Sequence, residues 1–188
     1  KKNEIQSDWT CNDSLAYKYN EDGIEVFFNA QNKDNFVIDL QIPWKEYDDF
    51  SIEVTFKNTQ NSTLDFGLTW NENYVENTYN QFIVSNEGDF AINNLEDDVV
   101  LGSKYDKTKL LNIGPGEENI IKILNKGDKV YYSINGDLVD TQKLINFEGS
   151  MFKIIVYNNE KIENESIIIK NFIFKDTEDY TNVENGLE

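Results

Sequence analysis

The stretch from Asn119 to Thr141, NIIKILNKGDKVYYSINGDLVDT, constrains this chain more than any other. It reads as three short strands joined by two tight turns, Lys126-Gly127-Asp128 and Asn135-Gly136-Asp137. Asn-Gly between alternating apolar residues signals a two-residue hairpin, because both turn positions need positive φ. In the middle strand Val130, Tyr132 and Ile134 share one face, while Tyr131, Ser133 and Asn135 share the other. A meander of this kind buries one side only, so a second sheet must cover its apolar face. The expectation is an all-β chain: a two-sheet antiparallel β-sandwich, or jelly roll, of about a dozen strands.

The rest of the chain supports that reading. Phe50 to Lys57 alternates cleanly, with Phe50, Ile52, Val54 and Phe56 inward and Ser51, Glu53, Thr55 and Lys57 outward. Leu64 to Trp70 repeats the pattern, with Leu64, Phe66, Leu68 and Trp70 in one row. Further strands are expected over 24–29, 35–42, 79–85, 90–93, 151–157 and 166–175, with an edge strand around Tyr17 and Tyr19. Residues 95–116 are the least regular part and read as a long connection with one or two short strands. One domain over 1–176 is expected, followed by an acidic tail over 177–188.

The formal net charge is −18, from 35 acidic residues against 17 basic ones, and there is no histidine. Every basic residue is lysine. That balance argues against nucleic acid and anionic membrane surfaces, which need a basic footprint. No apolar run is long enough to span a bilayer, so membrane insertion is not expected. No signal peptide is visible at Lys1-Lys2, an opening that suits a processed or trimmed chain. Cys11 is the single cysteine, so no internal disulfide forms. Zinc lacks ligands here, and no cofactor is expected. Calcium is compatible with the carboxylates of Asp48-Asp49 and Glu96-Asp97-Asp98, although no EF-hand spacing occurs and solvated loop acids are the simpler account.

The run from Phe50 to Phe174 resembles the concanavalin A-like lectin/glucanase superfamily, in particular its laminin-G-like and keto-disaccharide-hydrolase-like branches. Phe50-Ser51-Ile52-Glu53, Phe66-Gly67-Leu68, the aromatic strand from Tyr79 to the turn before Phe90, and the Asn119–Val139 hairpin carry the resemblance. It implies a jelly roll with a concave face, a scaffold shared by glycan-binding modules and hydrolases. Laminarinase-like members use a Glu-x-Asp-x-x-Glu strand. Glu46-Tyr47-Asp48 and Glu87-Gly88-Asp89 begin that pattern, but the third acid is missing from both.

A neutral sugar is held by stacking on aromatic faces and by hydrogen bonds to amides and carboxylates. The ligand candidates are therefore Trp44 and Tyr47 in one loop, Trp70 at a strand end, Tyr74 in the following loop, and Tyr131 on the outer side of the meander. Alternation gives Trp70 a core reading as well. Glu53 and Asp65 both point away from the core rows and would face one cleft if their strands were neighbours. No catalytic constellation stands out. The best-supported expectation is a non-catalytic lectin-like domain for a carbohydrate or cell-surface protein partner, placed outside the cytoplasm. A glycoside hydrolase using Glu53, Asp65 or Glu87 and an interaction module of a larger chain are the alternatives.

Overall fold

A computed structural model describes residues 16–28, 35–40, 49–60, 63–97, 99–145, 149 and 151–176. They form thirteen strands: β1 (Ala16–Asn20), β2 (Gly23–Phe27), β3 (Asn35–Leu40), β4 (Phe50–Asn58), β5 (Asp65–Asn73), β6 (Thr78–Ser85), β7 (Asp89–Glu96), β8 (Val99–Lys107), β9 (Glu118–Lys126), β10 (Lys129–Ile134), β11 (Asp137–Lys143), β12 (Met151–Tyr157) and β13 (Ser166–Asp176). All pair antiparallel, in a seven-stranded sheet ordered β1-β2-β13-β4-β9-β10-β11 and a six-stranded sheet ordered β3-β12-β5-β6-β7-β8. The expected sandwich is present. The described residues contain no helix long and apolar enough to cross a membrane.

The inward rows of the two sheets make one core. Ile52, Val54, Ile121, Ile123, Ile134 and Ile167 of the seven-stranded sheet are sealed from solvent, as are Phe36, Ile38, Phe66, Leu68, Phe82 and Val84 of the six-stranded one. Aromatic pairs bridge the layers: Phe56 meets Phe66 at 4.4 Å between centroids, and Tyr132 meets Phe82 at 5.3 Å. Such pairs each add about 0.5–1.5 kcal/mol beyond area burial.

The meander folds as its sequence dictates. Asn135 and Gly136 adopt φ of 52° and 91°, closing the two-residue turn between β10 and β11. Asn135 also anchors the connection from β8 to β9. Its Nδ2 donates to Leu110 O at 2.6 Å and to Asn119 Oδ1 at 3.0 Å, while its Oδ1 accepts from Ile120 N at 2.7 Å. Asn119 is fully buried and closes the same network through Asn112.

One segment is more regular than expected: the sequence suggests a short strand after Leu95, and a nine-residue one is found. The irregular stretch after Leu95 contains a full strand, β8, paired along β7 from Asp89↔Lys107 to Glu96↔Val99. It is the edge of its sheet, and Val99, Val100, Leu101 and Tyr105 are all exposed. An edge strand buries little of either face, so the alternation that betrays inner strands is absent.

Candidate functional site

The outward side chains of the six-stranded sheet line up in three rungs. The first runs Asp39–Lys153–Thr69–Gln81–Asn93–Ser103, with each neighbour directly opposite the last across all six strands. The second, Val37–Ile155–Gly67–Ile83–Ala91–Tyr105, is apolar apart from the terminal phenol. The third runs Asn35–Tyr157–Asp65–Ser85–Asp89–Lys107. Gly67 keeps β5 and β6 close at the centre, since a Cβ there would collide with the Phe82 carbonyl.

The β6–β8 half of the first rung is a hydrogen-bonded row of neutral polar groups. Ser103 Oγ donates to Asn93 Oδ1 at 2.7 Å, Asn93 Nδ2 to Gln81 Oε1 at 3.4 Å, and Gln81 Nε2 to Tyr157 Oη at 3.1 Å. Thr69 and Gln81 are only 4% and 6% exposed although they face away from the core. A polar side chain that buried and that well aligned is the informative kind. These bonds commit one N–H of each amide and leave the second.

At the other end of the rung, β5 carries a bulge at Asn71, seen against both β6 and β12. Asn71 takes a φ of 52°. The bulge re-aims Glu72, whose Oε1 accepts from Lys153 Nζ at 2.6 Å. Asp39 Oδ1 lies 3.9 Å from the same ammonium. In the β5–β6 turn, Asn73 Oδ1 accepts from Val75 N and Glu76 N. This loop holds the Tyr74 ring 4.7 Å from Lys153 Nζ, 58% exposed. Burial works against the Lys153 charge, but hydrogen bonds to Glu72 and Tyr74 outweigh it and hold the ammonium above the ordinary lysine value.

The third rung is acidic. Burial pushes the Asp65 carboxyl above the usual carboxylate range; hydrogen bonds from Ser85 and Asn159 pull it back, and the charges of Glu87 and Asp89 raise it further. Asn159 Nδ2 reaches Asp65 Oδ2 at 2.6 Å. A hydrogen bond to Asp89 raises the Tyr105 phenol. Among the described residues, no three carboxylate or thiol side chains converge as a metal site. Of the calcium candidates, Asp49 accepts Gly127 N at 2.6 Å and Asp97 sits in a left-handed turn, while Asp48 and Asp98 lie outside the described residues.

The structure separates the residues that the sequence offered as ligand candidates. Tyr74 joins the six-stranded outer face. Trp70 does not: it is fully buried, 5.7 Å from Tyr132, and has no face to offer a ligand. Tyr131 lies on the outer side of the seven-stranded sheet, opposite Leu124 and Thr141. Glu53 and Asp65 are not neighbours. Glu53 belongs to β4 in one sheet and Asp65 to β5 in the other, so their outward side chains leave the sandwich on opposite sides. Alternation gave each the correct orientation, but only sheet membership decides whether two outward residues share a surface. Trp44 and Tyr47 lie outside the described residues. Sequence reasoning passed over Asp39, Glu72, Gln81, Asn93, Ser103 and Lys153.

No protein-family model matches this chain, and no curated protein matches it by sequence. Solved structures do. The carbohydrate binding module CBM66 from Bacillus subtilis is similar over 93% of this chain and 99% of that one, with a TM-score of 0.66 and 13% identity. The carbohydrate recognition domain of Emp47p is similar over 93% and 90%, with a TM-score of 0.61 and 14% identity. What these structures share with this chain is the two-sheet antiparallel β-sandwich, the architecture that the resemblance in the sequence implied. A similar sandwich occurs in alginate lyase A1-II′, of polysaccharide lyase family 7, with a TM-score of 0.57 and 10% identity over 86% and 83% of the two chains. At these identities the likeness is one of architecture, and it spans binding modules and an enzyme alike.

Proposed function

We propose that this domain binds a carbohydrate across the outer face of its six-stranded sheet, without transforming it. The observation that carries the reading is the hydrogen-bonded run from Ser103 through Asn93 to Gln81, which crosses from there to Tyr157 in the third rung, with Thr69 and Lys153 following Gln81 in register. A saccharide offers vicinal hydroxyls that donate and accept, and flat C–H faces that stack on aromatics. The second N–H of each amide suits the first need. Tyr74, exposed at the rim, suits the second. The fold's solved neighbours include a carbohydrate binding module and a carbohydrate recognition domain, which adds weight. A domain with this role works outside the cytoplasm, where polysaccharides and glycoconjugates are displayed.

The test is affinity electrophoresis and calorimetry against a panel of soluble polysaccharides and oligosaccharides. Binding by the intact domain that Gln81→Ala and Tyr74→Ala each weaken supports the reading. A domain that retains its fold and is retarded by no glycan in the panel would sink it.

A second reading, glycoside hydrolysis, draws on one observation: Asp65 carries a raised carboxyl beside Glu87 and Asp89. Paired carboxylates with separated protonation states are how such enzymes divide acid and base work. Release of reducing ends by the wild type, abolished by Asp65→Asn, would establish it in place of simple binding.

A further inference from the structure

We infer that this face selects against anionic glycans, and that its ligand is a neutral or amino-bearing saccharide donating O–H or N–H groups to carboxylate oxygens. The inference rests on the carbohydrate-binding reading above and adds the charge class of the ligand. Four strand carboxylates belong to the face, Asp39, Asp65, Glu72 and Asp89, against two lysines. The lysine at the centre of the face is not set up for an incoming anion. Lys153 is held by Glu72 at 2.6 Å, with Asp39 at 3.9 Å. Lys107 stands directly opposite Asp89 in the β7–β8 register. Arginine, the residue that grips carboxylates and sulfates in two-pronged fashion, is absent from the chain.

The acceptors point the same way. Asp39 Oδ1, Glu72 Oε2 and Asp89 Oδ1 are all buried without a hydrogen-bond partner, and Asp89 as a whole is 8% exposed. These oxygens are closed off from solvent, but the carboxylates that carry them still present negative charge to whatever meets the face. A uronate or sulfate brings more acceptors to the same place and meets like charge, a juxtaposition that disfavours the wrong partner strongly. The fold accommodates acid-polymer chemistry elsewhere, as in an alginate lyase, so the discrimination lies in these side chains and not in the sandwich.

The experiment compares, by calorimetry on the intact domain, neutral glucans, galactans and fructans with alginate and polygalacturonate, and with chitosan oligosaccharides, at low and physiological salt. The uronate polymers are expected to bind at least about tenfold more weakly than the best neutral or amino glycan, and chitosan binding to weaken with salt. Uronates bound as tightly as any neutral glycan would overturn the charge selection and leave carbohydrate binding standing. No binding to any of the three classes would overturn the reading beneath it. Glu72→Gln frees Lys153 and is expected to narrow the discrimination. Asp39→Asn does the same by a milder route and serves if the first variant fails to fold. Unchanged discrimination in a folded variant would overturn the assignment to the Glu72–Lys153–Asp39 cluster.

Discussion

The two outer faces of the sandwich obey the same alternation and solve the problem of facing water differently. The seven-stranded face pairs its charges. Lys18 meets Glu25 at 3.0 Å, Lys57 meets Asp22 at 2.8 Å, Lys170 meets Glu118 at 2.6 Å, and Lys122 approaches Glu53 at 3.9 Å. The six-stranded face runs neutral amides and hydroxyls through its centre and leaves carboxylate oxygens without donors. Exposed ion pairs satisfy one another and have little left for a ligand. Amides hydrogen-bonded through one N–H keep the other for a partner. On the reading proposed above, the first face is a coat and the second is the surface that meets a ligand.

The largest expected effect tests whether the six-stranded face acts through its outer side chains and not through the core beneath. Trp70→Ala removes a fully buried indole under that sheet and should cost about 3–5 kcal/mol of stability. Urea denaturation measures this, and the folded fraction should retain its ligand. A variant as stable as the wild type that has lost binding would return Trp70 to the site and blur the distinction between face and core.

Next in size is Gln81→Ala. It breaks the row between Asn93 and Tyr157 and should lower glycan affinity roughly tenfold, the equivalent of about 1–1.5 kcal/mol. Titration calorimetry reads the loss. The matched change on the other face, Tyr131→Ala, should leave affinity alone, since Tyr131 lies on the opposite side of the sandwich. Equal losses from both variants would dissolve the comparison.

The sequence made the rows legible but not their assembly. Period-two alternation placed Phe50, Ile52, Val54 and Phe56 inside, and Asn135-Gly136 located a turn, because those signals are local. The site depends on β12 lying between β3 and β5, a pairing of Lys153 with Asp39 and Thr69 across most of the chain. No local pattern encodes that register. It follows from which strands close the core, so Lys153 read as one lysine among many. Glu53 and Asp65 show the same limit from the other side: both point outward as expected, yet into different surfaces. The bulge at Asn71 that turns Glu72 toward Lys153 has no glycine to announce it.

A smaller effect sharpens the contrast through pH. Asp65 on the six-stranded face has a raised carboxyl, its burial being the first cause. Between the ordinary aspartate value, near 3.9, and the higher native one, the folded state holds a proton that the unfolded chain has released. Stability contributed by this group therefore falls as pH rises through that window and stays level above it. Asp65→Asn should flatten that decline and leave the domain no less stable at neutral pH, its side-chain carbonyl still accepting from Asn159. Thermal melts from pH 3 to pH 8 read the difference. A variant that loses stability at neutral pH would show that the charge of Asp65 is needed where it sits.

The smallest effect belongs to the coat. Glu53 and Lys122 are directly opposed across β4 and β9, with side chains 30% and 38% exposed and 3.9 Å apart. Water screens a pair so placed, and holding two long side chains together costs rotamer freedom, so the pair contributes about 0.5 kcal/mol or less. Glu53→Gln and Lys122→Met, alone and combined, should shift chemical denaturation by no more than that, and the double-mutant coupling should fade in high salt. Glycan affinity should not move in any of the three. A coupling well above 1 kcal/mol, or a change in affinity, would mean that the ion-paired face does more than keep the sandwich in solution. The functional difference between the two faces would then have to be sought in the residues at their rims.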